Sequence, residues 1–455
     1  GEWVAWTPEG YYDSSVNGDK YIGWHINQGE DRSALYYPAS QFADRFRKPL
    51  VVANYLKTNG NLDEAIRLAN AEDPKKQKTE ETSISQINKL LPPAVFFEQP
   101  SESDTESSEQ IFCVKAGAKS LTDEPVKDIW LILNGKQDRG IQRIKKDKTA
   151  EPRKQLQGKE AIVEQCFELN PGENRISVSA SAGQTSAEPE TIRVIWKEKK
   201  SSDEDIYKPN LYLLSIGVSK YVNKYVPNLL VADKDAEAIA DVFKAQQGKL
   251  YRNVNVKLLL NENATGDNIL DGLDWILKES TQKDMSVIFI SGHGENDEAK
   301  NYYFLPYEAD FERLRRTGVA WLDFKDVVKK LPSKTLFMVD TCASGNITGT
   351  RRRGATDMTE ALRELMQSSR GTVVMAGSTG VEVSVEKSEW GHGAFTKALV
   401  EGLGNFQADY NKNNSIEIKE LDLYVTERVK ELTKGSQHPT TEVPKTMPNF
   451  PIAVR

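Results

Sequence analysis

Apolar runs in the second half of the chain limit its fold more than any other feature. LYLLSIGV, VNVKLLL, MSVIFIS, TLFMVD and TVVMAG carry almost no charge, and DKDAEAIADVFKAQ, NILDGLDWILKES, FKDVVKKL and MTEALRELMQS between them have helical spacing. A strand with one wet face alternates apolar and polar residues. Strands this uniformly apolar are covered on both faces, and helices between them make the sheet mainly parallel. Residues 206–455 are therefore expected to form an α/β domain, a three-layer sandwich. In such folds ligands bind beyond the carboxyl ends of the strands.

Two of these runs end in reactive residues. VIFISGHG carries His293 and FMVDTCASG carries Cys342. A connection and a helix fit between them, so neighbouring strands can bring the two together. A thiol needs a base or an imidazolium partner to become a good nucleophile. The backbone N–H groups of Gly294 and Cys342 are then candidates for an oxyanion hole. Asp340 poses a question, because a carboxylate two residues from a thiol raises its pKa and weakens it as a nucleophile. Either Cys342 is inert, or Asp340 faces something else.

The upstream half reads differently. Residues 1–90 open with WVAWTPEGYY and YIGWHINQG, short strands and turns, then become helical from Ala39, with Pro49 interrupting. The aromatic residues Trp3, Trp6, Tyr11, Tyr12, Tyr21 and Trp24 are expected to make a β-rich core rather than a carbohydrate or partner surface. His25 lies among them and reads as packing. Residues 91–199 hold AVFFEQP, QIFCVKAGA, DIWLILNGK, AIVEQCFELN, NRISVSASA and TIRVIWKE, short strands punctuated by turn residues, as in a small β-sandwich. The polar stretch EKKSSDED marks the boundary to the α/β half.

Composition removes several classes. The formal charge of −7 argues against nucleic acid as a partner, and no apolar run approaches the length of a membrane helix. Cys113, Cys166 and Cys342 are odd in number and far apart, so no disulfide framework is expected and a reducing cytoplasm is the expected compartment. No CxxC or HxxxH spacing points to zinc. The chain begins with Gly and shows no signal-peptide pattern, which leads to the expectation of a piece of a longer protein.

SGHG and DTCASG, at these strand ends and this distance, resemble the caspase-like cysteine peptidases, the clan of caspases, metacaspases and paracaspases. The resemblance runs from about Pro209 to Arg455 and includes the terminal QHPTTEVPKTMPNFPIA. The motif departs from the QACxG of animal caspases and is closer to the metacaspase pattern DxCxSG, with Ala343 where a His often stands. The resemblance implies a catalytic dyad of His293 and Cys342. It also implies a substrate (S1) pocket of Asp235, Asp340 and Glu386 that takes a basic P1 side chain, Arg or Lys, from a protein or peptide. That answers the question posed by Asp340. The competing expectations are that Asp235 caps its helix and that Asp340 holds a turn. His392, in WGHGAF, reads as structural.

In this clan the segment after the Cys is often cut. Here it contains Arg351, Arg352 and Arg353, candidate self-cleavage points, although exposed basic loops are common. DYNKNNSIEIKE matches the calcium loop of EF-hands at Asp409, Asn411, Asn413 and Glu420, with Asn414 where Gly is usual. Few of these ligands are charged, so a turn without its ion is the expected reading. No cofactor is required, and a calcium requirement stays open. The phrase LNPGENRISVSA resembles immunoglobulin-like modules, and the N-terminal aromatic phrase resembles segments that follow WD-repeat regions in bacterial multidomain proteins. The expected function is a cysteine endopeptidase in regulated bacterial proteolysis, such as cell death or defence, in the cytoplasm, with no membrane partner and with a regulatory protein partner left open. The alternatives are a catalytically silent caspase-like scaffold and a separase-like or gingipain-like peptidase of the same clan.

Overall fold

The computed structural model describes residues 2–27, 30–31, 33–72, 79, 87, 89–137, 153–197, 208–343, 358–368, 371–378 and 384–455. The chain divides into two compact units, Gly1–Leu133 with Gln137–Lys197, and Asn134–Lys136 with Glu198–Arg455. The first two regions read from the sequence thus fall within one unit, each with its own core.

The N-terminal region contains β1 (Val4–Trp6), β2 (Tyr12–Ser14), β3 (Gly23–Ile26), β4 (Leu35–Pro38) and helices α1 (Ala43–Phe46), α2 (Pro49–Lys57) and α3 (Leu62–Glu72). The helical stretch breaks at Pro49: α1 ends at Phe46 and α2 starts at the proline, because the first turn needs no amide hydrogen and proline's φ already suits it. The aromatic residues divide. Tyr11 and Tyr12 are buried, and Trp24 packs on Phe42 and Phe46 with ring centroids 5.0 and 5.3 Å away. Trp3, Trp6 and Tyr21 lie exposed, which corrects the expectation that all six form core.

The sandwich follows, with β5 (Ala94–Gln99), β6 (Asp104–Ser107), β7 (Ile111–Lys119), β8 (Val126–Leu133), β9 (Arg153–Gln157), β10 (Glu160–Glu168), β11 (Gly172–Ala182), β12 (Thr185–Ser186) and β13 (Glu190–Trp196). One sheet runs β5-β7-β10-β9, the other β12-β11-β13-β6 with β8 on β11. Their inner faces share one core, including Val114, Ala116, Val163, Phe167, Leu131, Ile176 and Val194. This is a β-sandwich of two packed sheets. Cys113 and Cys166 form a disulfide. This corrects the expectation of unpaired cysteines. The two are far apart in sequence but are partners in the antiparallel β7–β10 register, a placement that spacing alone does not reveal. The cytoplasmic expectation, which rested on unpaired cysteines, loses that support.

The second unit holds β14 (Leu211–Gly217), α4 (Ala232–Lys244), β15 (Val254–Leu260), α5 (Gly266–Glu279), β16 (Met285–Asn296), β17 (Tyr302–Phe304), α6 (Leu314–Thr317), β18 (Val319–Ala320), α7 (Trp321–Lys330) and β19 (Lys334–Ala343). Then come α8 (Thr359–Ser368), β20 (Thr372–Ala376), β21 (Glu386–Lys387), β22 (His392–Gly393), α9 (Ala394–Gly404), β23 (Ser415–Glu417), α10 (Ile418–Leu432), β24 (Thr440–Glu442) and β25 (Pro451–Val454). The main sheet runs β15-β14-β16-β19-β20-β24. Its strands are parallel from β15 to β20, and β24 closes the edge antiparallel. Strand order reverses between β14 and β16, and ligand crevices of doubly wound sheets form at such a switch.

Alternate residues of each strand serve opposite faces. Leu213, Val287, Phe289, Leu336 and Met338 pack with Ile239 and Phe243 of α4, Leu399 of α9 and Val425 of α10. On the other face Leu214 lies so close to Gly272 of α5 that a Cβ there would sit 2.7 Å from its methyl carbon. Helices therefore cover both faces, as the uniformly apolar strands required. Among the described residues, no helix is long and apolar enough to cross a membrane.

Candidate active site

His293 and Cys342 are Cα partners on the parallel strands β16 and β19, and Ser291 pairs with Asp340 two residues earlier. Both His293 and Cys342 lie inside their strands, which corrects the sequence reading that placed them just past the strand ends. The ladder continues because β17 folds back on β16, pairing Phe304 with Gly294 and Tyr302 with Asn296. Gly294 must lack a side chain, since a Cβ there would sit 1.8 Å from the Tyr302 hydroxyl. That buried hydroxyl donates to Thr341 Oγ1 at 2.8 Å, which ties β17 to the residue beside Cys342.

His293 is buried and held on several sides. Its backbone N–H donates to the Tyr221 hydroxyl at 2.9 Å, and the Tyr221 ring lies 5.4 Å away at 33°. Its Nε2 is 3.0 Å from the Pro227 carbonyl oxygen. A carbonyl can only accept, so Nε2 carries the hydrogen and Nδ1 is left as the basic nitrogen. Nδ1 is buried and has no hydrogen-bond partner among the described residues. Burial pushes the imidazole pKa down to about 4, with the Pro227 carbonyl opposing in part. At neutral pH the ring is therefore uncharged and able to take a proton. Sequence reasoning missed Tyr221 and Pro227, because a supporting hydroxyl and a backbone carbonyl carry no motif.

The three acids converge from separate elements. Asp340 is buried in β19, Asp235 is buried in the first turn of α4, and Glu386 lies in β21. Burial first, then the charges of Asp235 and Glu386, push the Asp340 carboxyl up to about 7, with the Ser384 and Thr396 side chains opposing. Burial also raises Asp235 and Glu386. Among the described residues none of the three pairs with a Lys or Arg. Asp340 Oδ1 lacks any hydrogen-bond partner among them.

The capping expectation for Asp235 does not describe its contacts. Helix α4 has no side-chain cap, and Asp233 in the same turn accepts from Ser219 Oγ at 2.7 Å and Asn261 Nδ2 at 2.9 Å. The Asp235 carboxylate instead accepts from His392 Nδ1 at 3.0 Å and from the Gly393 N–H at 3.2 and 3.3 Å. Asp340 holds no turn, since it lies inside a strand. Glu386 Oε2 accepts from the N–H groups of Leu230 and Val231 at 2.7 and 3.2 Å, clasping the chain just before α4.

Gly393 borders both buried aspartates. A Cβ on it would stand 3.0 Å from Asp340 Oδ2 and 3.3 Å from Asp235 Oδ2. Its φ of −65° and ψ of 155° are open to any residue, so alanine would fill the cradle without backbone strain. Gly393→Ala is expected to lower the affinity of a cationic side chain for this pocket by about a hundredfold while the chain still folds. Titration with benzamidine, with the circular dichroism melt as a folding control, checks this.

The calcium-loop residues adopt a hydrogen-bonded turn. Asp409 accepts from the N–H groups of Asn413 and Asn414 at 3.1 Å each, and Glu420 from those of Asn411 and Glu417 at 3.3 and 3.1 Å, the last as part of a capping box on α10. Asn414 takes a positive φ of 64°, the conformation for which Gly is usual there. Among the described residues no group of three or more His, Cys, Asp or Glu is arranged to hold a metal ion. Arg351, Arg352 and Arg353 lie outside the described residues.

A peptidase family model described as Caspase domain matches residues 212–450. The chain belongs to this caspase domain family, whose membership supports a protease-type function with protein as the substrate class. No curated protein matches the chain. Among solved structures it is similar to protein GSU0716 from Geobacter sulfurreducens, at 17% identity over 54% of this chain and 99% of that one, with a TM-score of 0.40. It is also similar to pro-sf-caspase-1, at 12% identity over 52% of this chain and 87% of that one, with a TM-score of 0.34. A weaker likeness links it to the N-terminal Ig1-2 module of the Drosophila receptor protein tyrosine phosphatase DLAR, at 13% identity over 28% of this chain and 62% of that one, with a TM-score of 0.16.

Proposed function

We propose that the chain is a cysteine endopeptidase that cleaves after Arg or Lys, with Cys342 as nucleophile and His293 as general base. The observation that carries this reading is the convergence of Asp235, Asp340 and Glu386, with no Lys or Arg partner among the described residues, on the strand that bears Cys342. Carboxylates crowded together out of water cannot all ionise cheaply. A guanidinium or ammonium ion entering among them removes that cost and gains charge-assisted hydrogen bonds.

The chemistry then runs as follows. The Cys342 thiol gives its proton to His293 Nδ1 while sulfur attacks the scissile carbonyl carbon. The backbone N–H groups of Gly294 and Cys342 stabilise the oxyanion. His293 returns the proton to the departing amine as the C–N bond breaks, leaving an acyl-enzyme. Water, losing a proton to His293, attacks the acyl carbon, and Cys342 leaves with the proton restored. Family analogy sets this activity in regulated bacterial proteolysis.

Peptides identical except for Arg, Lys or Asp at P1 test the reading. Arg and Lys peptides are expected to be cleaved at least about a hundredfold better than the Asp peptide, with and without calcium. Preference for Asp would remove the pocket assignment and keep the protease. Absence of cleavage from all three would favour the scaffold. The same incubations, followed by N-terminal sequencing, show whether the chain cuts itself after Arg351, Arg352 or Arg353.

A further inference from the structure

His392 has no place in the chemistry above, yet among the described residues it makes the one side-chain hydrogen bond to the Asp235 carboxylate. It sits in β22, whose pairing with β21 places Lys387 opposite His392 and Glu386 opposite Gly393. The histidine is three-quarters covered, with a quarter of its side chain exposed, whereas Asp235 is almost wholly enclosed. Its Nδ1 engages Asp235 Oδ1, while Asp235 Oδ2 borders the Gly393 cradle that it shares with Asp340 Oδ2. The Gly393 N–H reaches both oxygens, at 3.2 and 3.3 Å, so Oδ1 is held by a side chain and a backbone amide, and Oδ2 by the amide alone.

We propose that His392 is a positioning residue of the substrate pocket, anchoring Asp235 by one oxygen so that the other faces the incoming cation beside Asp340. This rests on the reading of the pocket given above and deepens it, since it makes recognition of a basic side chain depend on a residue outside the acid triad. The titratable groups facing Asp235 are Asp233 on its own helix, Asp340 on β19, Glu386 on β21 and His392 on β22. All but His392 are acids. Burial already pushes the Asp235 carboxyl up, and the His392 hydrogen bond is the largest influence opposing that shift. Without His392, Asp235 keeps its proton to higher pH, and the pocket loses both a charge and a fixed oxygen.

The test compares the wild-type chain with His392→Ala and His392→Asn. Asparagine can place an N–H near the position of Nδ1, whereas alanine cannot. Values of kcat/KM for an Arg-ending peptide are measured from pH 5.5 to 9, and agmatine binding is followed by calorimetry over the same range. For His392→Ala, kcat/KM at pH 7 is expected to fall about tenfold, through KM, with the acidic limb displaced to higher pH. The deficit shrinks to within about twofold at pH 9, where Asp235 ionises unaided. His392→Asn restores the limb. Superposable wild-type and His392→Ala profiles, or a deficit constant with pH and shared by His392→Asn, would overturn the proposal. If the wild type cleaves nothing, agmatine decides: binding that shifts with pH in His392→Ala upholds the inference while the protease reading fails. No agmatine binding overturns both.

Discussion

Asp340→Asn is expected to lower kcat/KM on Arg and Lys peptides by about three orders of magnitude and to make the chain more stable at pH 8. The two effects have one cause. In the free protein the Asp340 carboxyl is pushed up to about 7, chiefly by burial and next by Asp235. An unfolded chain returns it to the ordinary carboxylate range. A group raised in this way favours the folded state below its unfolded pKa. That contribution is lost as pH climbs to about 7, because only the unfolded chain releases the proton readily in that interval. Asparagine never ionises, so its advantage is absent near pH 4, grows towards 7 and is complete at 8. Thermal midpoints of the two proteins should coincide at acid pH and separate by roughly 5 °C at pH 8. The Arg-peptide profile of the wild type should rise through neutrality as Asp340 ionises, and that limb should vanish in the variant. A variant that loses activity and stability together would show that Asp340 is structural.

Cys342→Ala should abolish cleavage of every peptide, a fall of at least about ten-thousandfold. The reasoning starts from the imidazole. Burial pushes the His293 pKa down to about 4, so the free protein holds a neutral base rather than a preformed ion pair. In the proposed mechanism proton transfer from the thiol then accompanies attack, so that neither residue would work without the other. His293→Ala should accordingly show a loss of similar size, and the double variant should be little worse than either single one. Mass spectrometry of the wild type treated with an Arg-ending acyloxymethyl ketone should find the label on Cys342. A Cys342→Ala chain that still cleaves after Arg would move the nucleophile elsewhere.

The α/β unit was legible because its strands are covered on both faces and therefore contain almost nothing but apolar residues. The same runs pointed to the ends where His293 and Cys342 stand. Asp235 and Asp340 could be named from their motifs, but their surroundings could not, since His392 and Gly393 reach Asp235 from the far side of the chain. Tyr221 and Pro227 were illegible for a different reason. They act through a hydroxyl that receives a backbone N–H and through a main-chain oxygen, neither of which requires a diagnostic residue pattern. The N-terminal aromatics misled because an aromatic-rich segment can bury Tyr11 and Tyr12 and still expose Trp6. The Cys113–Cys166 pairing depends on strand register, which follows from how β7 and β10 meet rather than from spacing.

His293 and Cys342 belong to an unbroken ladder between β16 and β19, from Met285 and Lys334 to Gly294 and Ala343. Asp340 shares that ladder, whereas the other two acids of the proposed pocket are held by contacts between shorter segments, Glu386 with Leu230 and Asp235 with His392. Backbone amides in a central ladder open only with the sheet as a whole, whereas contacts between short peripheral segments open in smaller excursions. The two halves of the site therefore have different lifetimes. On the proposed reading, warming or mild denaturant is expected to fray P1 selectivity first, while the His293–Cys342 register persists until the sheet itself melts.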